Sequence, residues 1–277
     1  MPNCSPIIKW VGGKRQLLNT IKSRMPTDYG TYYEPFLGGG ALFFELQPEK
    51  AVINDFNSQL INMYRQIRND YKPVITMIDQ YQNTYNSFEK DSERLNYYHQ
   101  LRNRFNTILD NNLSTTEAAA LFIFLNKACF NGLYRVNSNG QFNVPSAHRK
   151  QINSYQTENV KSVAVALQHA TILQGDFEIA CHDAKAGDFV FFDSPYYNTF
   201  DTYQAGGFGN EDHIRLATLF KKLSKRGVKC MLTNSNTDFI KKLYLSFNIE
   251  VVDVKRMVNC DANGRVGQEI IVTNYKI

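Results

Sequence analysis

Seven short apolar runs alternate with helical patterns along the chain, and this alternation limits the fold more than any other sequence feature. Each run is rich in Val, Ile, Phe and Tyr and ends at turn residues, as expected for strands buried on both faces. The alternation predicts an α/β fold with a parallel-type sheet wrapped by helices. The runs are Thr31–Phe36, Ala51–Asn54, Ala170–Gln174, Phe189–Phe192, Val228–Thr233, Ile249–Val254 and Glu269–Tyr275.

A helical stretch interrupts this alternation from about Ser58 to Lys161. It predicts helices at Ser58–Asn69, Pro73–Asn86, Ser92–Asp110 and Thr115–Ala128. Ser114 and Glu117 have the spacing of a capping box before the last of these helices. A β-hairpin is expected at Leu133–Val144, because Asn139-Gly140 suits a type I′ turn. We therefore predict one domain formed by residues 1–57 and 165–277, with residues 58–164 as an insert that carries the hairpin.

Composition excludes several classes of protein. The 277 residues are 43% hydrophobic and include only 16 Gly and 8 Pro, which excludes collagen-like and disordered chains. No apolar run approaches the ~20 residues of a membrane span and no leader sequence is recognisable, so we expect a soluble, cytoplasmic protein. Five isolated cysteines argue against disulfides and zinc, and no bound metal is expected.

The distribution of charge favours an acidic partner. The formal net charge is +5. Between Lys127 and Lys161, a polar segment rich in Asn carries several basic residues and one acid, Glu158, which makes it a candidate nucleic-acid surface. A second basic group, between Lys221 and Lys229, is typical of a solvated helix face.

Two segments have the pattern of a ligand site. Glycines at 38–40 lie between a strand and a helix, where they allow a ligand to approach the backbone. Asp55 ends the second apolar run, a position from which an acid can bind ribose hydroxyls. The G-x-G-x-x-G spacing of dinucleotide binders is absent, since the residues two and three positions after Gly40 are Leu42 and Phe43. A nicotinamide-dependent dehydrogenase is therefore disfavoured.

The strongest local signal is an apolar strand that ends at Asp193 and continues as Ser194-Pro195-Tyr196. Together with the glycine segment and with Lys9–Lys14, it makes the chain resemble the Dam-type DNA adenine-N6 methyltransferases over essentially its whole length. The motifs that carry the resemblance are Lys9–Lys14, Glu34–Gly40, Asn54–Asn57, Phe130–Arg135, Phe142–Pro145, Gly175–Phe177 and Asp193–Tyr196.

The resemblance implies a Rossmann-like fold that uses S-adenosylmethionine, with residues 58–164 as the target-recognition insert. Trp10 and Lys14 would line the methionine side of the cofactor pocket. Asp55 would hold the ribose, and Asp176 with Phe177 would bracket the adenine. The remaining residues implied to contact the cofactor are Pro35, Phe36, Gly38, Gly40 and Asp193.

The same resemblance assigns the chemistry to Asp193, Ser194, Pro195 and Tyr196. Adenine N6 is a poor nucleophile because its lone pair is delocalised into the ring. The Asp193 carboxylate and the Ser194 carbonyl would accept the two N6 hydrogens and favour a pyramidal amine. Tyr196 would stack on the flipped-out base. The family usually has proline where this chain has Ser194; if the Ser194 amide is unbonded, we expect Ser194→Pro to keep or raise activity.

Double-stranded DNA is the implied partner, with GATC as the first target to test and no membrane involved. The chain is expected to act as a monomer, and pairing with a restriction endonuclease would not require a stable complex. Two alternatives stay open: a cytosine-N4 or RNA-adenine methyltransferase, and a DNA-binding relative with impaired catalysis. The residues expected to contact DNA are Phe130, Asn131, Arg135, Asn137, Arg149 and Lys150.

Overall fold

The computed structural model describes residues 4–12, 17–197, 207–255 and 266–276. Lys14, predicted to line the cofactor pocket, lies outside these residues. The strands are β1 (Tyr32–Glu34), β2 (Ala51–Asp55), β3 (Ala170–Gln174), β4 (Phe189–Phe192), β5 (Lys229–Ser235), β6 (Asn248–Lys255) and β7 (Val266–Thr273). The helices are α1 (Leu18–Lys22), α2 (Ala41–Leu46), α3 (Ser58–Ser87), α4 (Asp91–Asp110), α5 (Thr116–Ala128), α6 (Thr157–Gln168), α7 (Phe177–Ala180), α8 (Asn210–Lys225) and α9 (Asp238–Leu243).

The strands form one sheet with the order β3-β2-β1-β4-β5-β7-β6. The first five strands pair in parallel, which confirms the predicted Rossmann-like α/β fold. The sheet is not purely parallel, because β7 runs antiparallel to both β5 and β6. Only ten residues, 256–265, join β6 to β7. That is short for a parallel crossover, which takes a dozen or more residues.

Strand β4 lies at the centre of the sheet and is buried on both faces. Phe189 and Phe191 pack on one face, in a core that continues into the insert. Val190 and Phe192 pack on the other face, against α8. This burial explains why the strand reads as an uninterrupted apolar run.

The predicted break between two insert helices is present as a kink in α3. Asp70 has non-helical dihedral angles (φ −160°, ψ 106°), and Pro73 follows inside the helix. The Asp70 Oδ1 accepts a hydrogen bond from the Lys72 amide at 3.0 Å, as an N-cap does. Pro73 then occupies the first turn of the second half, where a missing N–H costs no helical hydrogen bond.

The cap of α5 was predicted one residue too early. Its N-cap is Thr115, not Ser114, and the Thr115 Oγ1 accepts from the Ala118 amide at 3.1 Å. Glu117 instead forms an ion pair with Arg104, with 2.8 Å between Oε1 and Nε. The Glu117 side chain therefore pairs with α4 and does not form the capping box.

The hairpin is present, but its turn is not type I′. Val136 and Phe142 form an antiparallel bridge, and Asn137 pairs with Gln141. Gly140 has φ +78°, whereas Asn139 is not among the residues with positive φ that a type I′ turn needs at both central positions. The turn is a three-residue loop closed by glycine. The Asn137 Oδ1 sets this geometry by accepting from the amides of Asn139 and Gln141 at 3.0 Å each.

One hydrophobic core joins the insert to the sheet. Tyr64 of α3, Phe124 of α5 and Phe142 of the hairpin belong to the same buried cluster as Ile172 of β3 and Phe189 of β4. Among the described residues, no helix combines the length and the apolar character needed to cross a membrane.

Candidate active site

The sheet order places the carboxyl ends of β3, β2, β1 and β4 side by side. The chain order reverses between β1 and β4, and ligands of such sheets bind beside the strand ends at this point. The residues predicted from separate motifs follow these four ends: Gly38 follows β1, Asp55 ends β2, Asp176 follows β3 and Asp193 follows β4. The fold therefore brings the four predicted segments to one edge.

The glycine segment turns sharply under Trp10. Gly38 and Gly40 have φ +49° and +69°, in the left-handed region. A Cβ on Gly38 would lie 2.6 Å from Trp10 Cδ1, so the ring closes over the loop. Trp10 also stacks on Tyr134 of the insert, with ring centres 5.7 Å apart and planes inclined by 22°. Trp10 therefore connects the glycine loop to the hairpin.

Asn54 and Asp55 hold the ends of β1, β2 and β3 together. The buried Asn54 Nδ2 donates to the carbonyl oxygens of Pro35 and Gly175, at 2.9 Å each. The Asp55 Oδ2 accepts from the Gly38 amide at 2.8 Å, and its Oδ1 accepts from the Asn57 amide at 2.9 Å. Burial raises the pKa of Asp55, and these amides oppose that shift. The Asp55 carboxylate is thus fixed beside the glycine loop.

Arg215 of α8 contacts both residues predicted to bracket an adenine. Its Nη2 lies 2.9 Å from the Asp176 Oδ2, and its Cζ lies 5.0 Å from the centre of the Phe177 ring. Asp176 also caps α7 by accepting from the Glu178 amide at 2.9 Å. Phe36 lies against Phe177, with ring centres 5.3 Å apart. The β1 and β3 ends therefore share an aromatic wall with an acid at its edge.

Residues 193–197 form a turn that β5 and β7 support. The Thr233 Oγ1 donates to the Asp193 Oδ1 at 2.9 Å. The Tyr196 hydroxyl donates to the Glu269 Oε2 at 2.5 Å. Burial, with the nearby charges of Asp193 and Glu269, raises the pKa of Tyr196 well above its usual value. The Tyr196 hydroxyl therefore stays protonated, and its hydrogen bond to Glu269 orients the ring beside the Asp193 carboxylate.

Glu34, at the end of β1, is a buried acid between the two site carboxylates. Its side chain is 3% exposed and accepts from the Tyr32 hydroxyl at 2.8 Å. Burial raises the pKa of Glu34 to about 8, and the charges of Asp193 and Asp55 act in the same direction. Glu34 is therefore held mainly as the neutral acid at pH 7.

The six residues predicted to contact DNA lie on the insert, and their side chains differ in exposure and in hydrogen bonding. Phe130 is 53% exposed, and Asn131, Arg149 and Lys150 are also exposed. Arg135 is exposed on the hairpin, where its Nε donates to the Asn143 Oδ1 at 2.8 Å. Asn137 differs, because its Oδ1 is used within the turn.

The sequence predicts no role for five residues that support the candidate site, although Glu34 opens one of the quoted motifs. Glu34 and Asn234 lie inside or at the end of apolar runs, and the polar Thr233-Asn234-Ser235 end of β5 was the signal that could have identified that segment. Glu269 and Arg215 have no local signal, since their contacts depend on the packing of β7 and α8. The five are Glu34, Arg215, Thr233, Asn234 and Glu269.

The chain is similar in sequence to known proteins along nearly its whole length. The family described as D12 class N6 adenine-specific DNA methyltransferase matches residues 10–258. The chain is 43% identical to the Type II methyltransferase M1.LlaDCHI of Lactococcus lactis subsp. cremoris, covering 99% of this chain and 96% of the relative. It is 40% identical to the Type II methyltransferase M.MjaIII of Methanocaldococcus jannaschii, covering 98% and 99%. It is 28% identical to a DNA adenine methylase of Haemophilus influenzae, covering 94% and 90%.

Proposed function

This chain belongs to the D12 class of N6 adenine-specific DNA methyltransferases, and from that premise we propose that it methylates N6 of a flipped-out adenine in duplex DNA. The observation that carries the proposal is the Asp193 carboxylate at the end of β4, oriented by Thr233 and followed by the oriented ring of Tyr196. It presents an acceptor and a stacking surface on one turn.

The residues around the glycine loop fit S-adenosylmethionine. Gly38 has no room for a side chain beneath Trp10, and Asp55 is fixed beside it as an acceptor. Asp55 would hold the ribose, while Phe36, Asp176 and Phe177 would surround the adenine. When bound, S-adenosylmethionine supplies a methyl group on a sulfonium. Trp10 would line its methionine side.

The protein's part in the reaction is to orient the amine and receive its hydrogens in hydrogen bonds. The Asp193 carboxylate and the Ser194 carbonyl would each accept one N6 hydrogen, so that the nitrogen lone pair points at the methyl carbon. With S-adenosylmethionine bound, the amine would take the methyl group and the electron pair of the C–S bond would remain on sulfur. N6 would then give up one proton, and we assign the Asp193 carboxylate as its acceptor. Stacking on Tyr196 would offset part of the few kcal/mol needed to unstack the base.

We propose GATC or a related sequence as the target, with the exposed Phe130, Asn131 and Arg135 at the DNA surface together with Arg149 and Lys150. The chain would act as a monomer in the cytoplasm, and pairing with a restriction endonuclease would need no stable complex. Light scattering of the free protein and of its DNA complex tests the monomer.

The decisive experiment is transfer of a tritiated methyl group at saturating cofactor, followed by nucleoside analysis. Duplexes with and without GATC and an RNA of the same sequence are compared, and sequencing of methylated DNA then gives the site. We expect N6-methyladenine in the GATC duplex. Label in cytosine or in RNA would contradict the proposal, and label in adenine of another sequence would contradict only the target.

Asp193→Ala should lower the single-turnover rate by about 10²–10³ or more, because preorganised hydrogen-bond partners each contribute on that scale. Asp253→Ala, which changes an acid on β6, is the matched control. A rate for Asp193→Ala within about tenfold of wild type would remove Asp193 from the chemistry.

A further inference from the structure

Among the side chains that tie the turn after β4 to the end of β5, Asn234 bonds the turn at two residues through one side-chain amide. The Asn234 Nδ2 donates to the Ser194 Oγ at 3.2 Å. The Asn234 Oδ1 accepts from the Tyr197 amide at 3.1 Å. One side chain therefore holds the turn on both sides of Pro195 and Tyr196.

Both partners of the first hydrogen bond are buried. Ser194 is 2% exposed and Asn234 is 1% exposed. In such surroundings water does not easily replace a hydrogen bond, so breaking it leaves a buried polar group unsatisfied and destabilises this arrangement of the turn. Ser235 adds a further contact, since its Oγ donates to the Tyr197 carbonyl at 3.1 Å.

The location of the bond suggests what it does. A proline at position 194 would fix φ covalently, whereas serine leaves φ free. In this chain the Ser194 hydroxyl is anchored through its side chain instead. The backbone carbonyl of Ser194 belongs to the same residue, so the anchor also limits where that carbonyl can point.

We propose that Asn234 is a positioning residue for methyl transfer, which acts through Ser194 and Tyr197 and does the work of a proline ring. The inference rests on the proposed function, because it assigns Asn234 an effect on the transfer step. Asn234 itself touches neither the base nor the methyl donor in this proposal. It fixes the two ends of the segment that does.

The test compares Ser194→Ala, Asn234→Ala and the double variant in single-turnover transfer, with separate measurement of cofactor and DNA dissociation constants. Asn234→Ala should lower the rate by up to about 100-fold, the effect of a misplacement on the order of 1 Å. Ser194→Ala should lower it by about tenfold, since it keeps the anchor to Tyr197. Both dissociation constants should stay within about threefold of wild type, because the misplaced groups act in the transition state.

Ser224→Ala is the matched control. Ser224 accepts from the Asn274 Nδ2 at 2.8 Å, so the variant removes another Ser–Asn hydrogen bond at the opposite end of β5. It should leave the transfer rate unchanged. The double variant should be no slower than Asn234→Ala alone, because the Ser194 hydroxyl acts only through Asn234.

Three results overturn the inference alone: rates of both single variants equal to wild type, losses that add in the double variant, or weaker binding at an unchanged transfer rate. If Asn234→Ala does not fold, Ser194→Ala decides by the same criteria. A wild-type protein that transfers no methyl group to adenine in DNA would overturn the proposed function and this inference with it, so the two failures are distinguishable.

Discussion

Burial of the Glu34 carboxyl makes the free energy of unfolding fall as the pH rises from about 4.5 to about 8. The folded protein keeps the proton up to a pKa of about 8, whereas the unfolded chain releases it near the ordinary value of 4.5. The stabilisation is therefore complete below pH 4.5 and is lost as the pH rises towards 8. Urea unfolding of wild type between pH 6 and 8 should show a fall of about 1.4 kcal/mol per pH unit from this group.

Glu34→Gln is the comparison, because glutamine keeps an acceptor for the Tyr32 hydroxyl and does not titrate. The variant should lose most of the slope between pH 6 and 8. His213 acts in the opposite direction, because burial lowers its pKa to about 4 and its contribution rises with pH up to the ordinary value of 6.5. This contribution is the same in both proteins, so it cancels in the comparison of wild type with Glu34→Gln. An equal slope in both proteins would mean that Glu34 is ionised in the folded state.

Ser194→Pro is a second test at the level of one residue. The sequence predicts that activity is kept or raised, and the structure adds an expectation for stability. The substitution removes the acceptor of the buried Asn234 Nδ2, and a stranded donor costs about 1–3 kcal/mol. Restriction of the unfolded chain returns only about 0.4–1 kcal/mol. We therefore expect a net loss of stability, measured by urea unfolding. Ser194→Ala also leaves the Asn234 Nδ2 without the Ser194 hydroxyl as acceptor, but it adds no proline ring. The difference in stability between the two variants therefore gives the effect of the ring.

The residues of the site were predictable where a motif places a polar group directly after an apolar run. Asp55 and Asp193 have that position, and both lie at the shared edge of the sheet. Glu269 was not predictable in the same way. It meets Tyr196 only because β7 pairs with β5, and strand neighbours cannot be read from periodicity.

At the scale of elements, the hairpin carries a prediction about Arg135. A two-stranded ribbon fits the major groove, and the hydrogen bond from Arg135 to Asn143 joins its two strands. If Arg135 binds a guanine edge, Arg135→Ala should lower kcat/KM more for the true site than for a site altered at that guanine. The difference between the two losses should correspond to a free energy of about 1–3 kcal/mol.

Arg149→Ala is the control for Arg135→Ala, because Arg149 is exposed on the same insert outside the turn. Removal of a residue that only binds phosphate should weaken the binding of both duplexes alike and reduce the slope of the salt dependence by about one ion. Equal losses on the two duplexes for Arg135→Ala, at matched ionic strength, would assign Arg135 to phosphate.

The elements were largely predictable from apolar runs, and the errors have local causes. β3 and β4 have their predicted ends because turn residues flank each run. The turn type was wrong because the Asn137 side chain builds a different loop from the same Asn-Gly pair. The antiparallel direction of β7 was missed because the apolar pattern of a strand carries no direction.

At the scale of the whole molecule, the shared core predicts that insert and sheet unfold together. Trp10 is the single tryptophan and contacts both the glycine loop and Tyr134 of the insert. Its fluorescence and the far-UV circular dichroism should therefore give coincident urea transitions. A fluorescence transition that comes before the loss of helix would show that the insert separates first. Addition of S-adenosylmethionine should move both transitions to higher urea.

The position of β7 sets the order in which a growing chain can complete its site. Of the seven strands in the described part of the chain, β7 is synthesised last, yet it lies between β5 and β6 and carries Glu269. Until it emerges from the ribosome, β5 and β6 each lack the neighbouring strand that joins them, and Glu269 is not yet in contact with the Tyr196 hydroxyl. The turn that would face the base therefore acquires its contact with Glu269 only after the last of these strands has been synthesised.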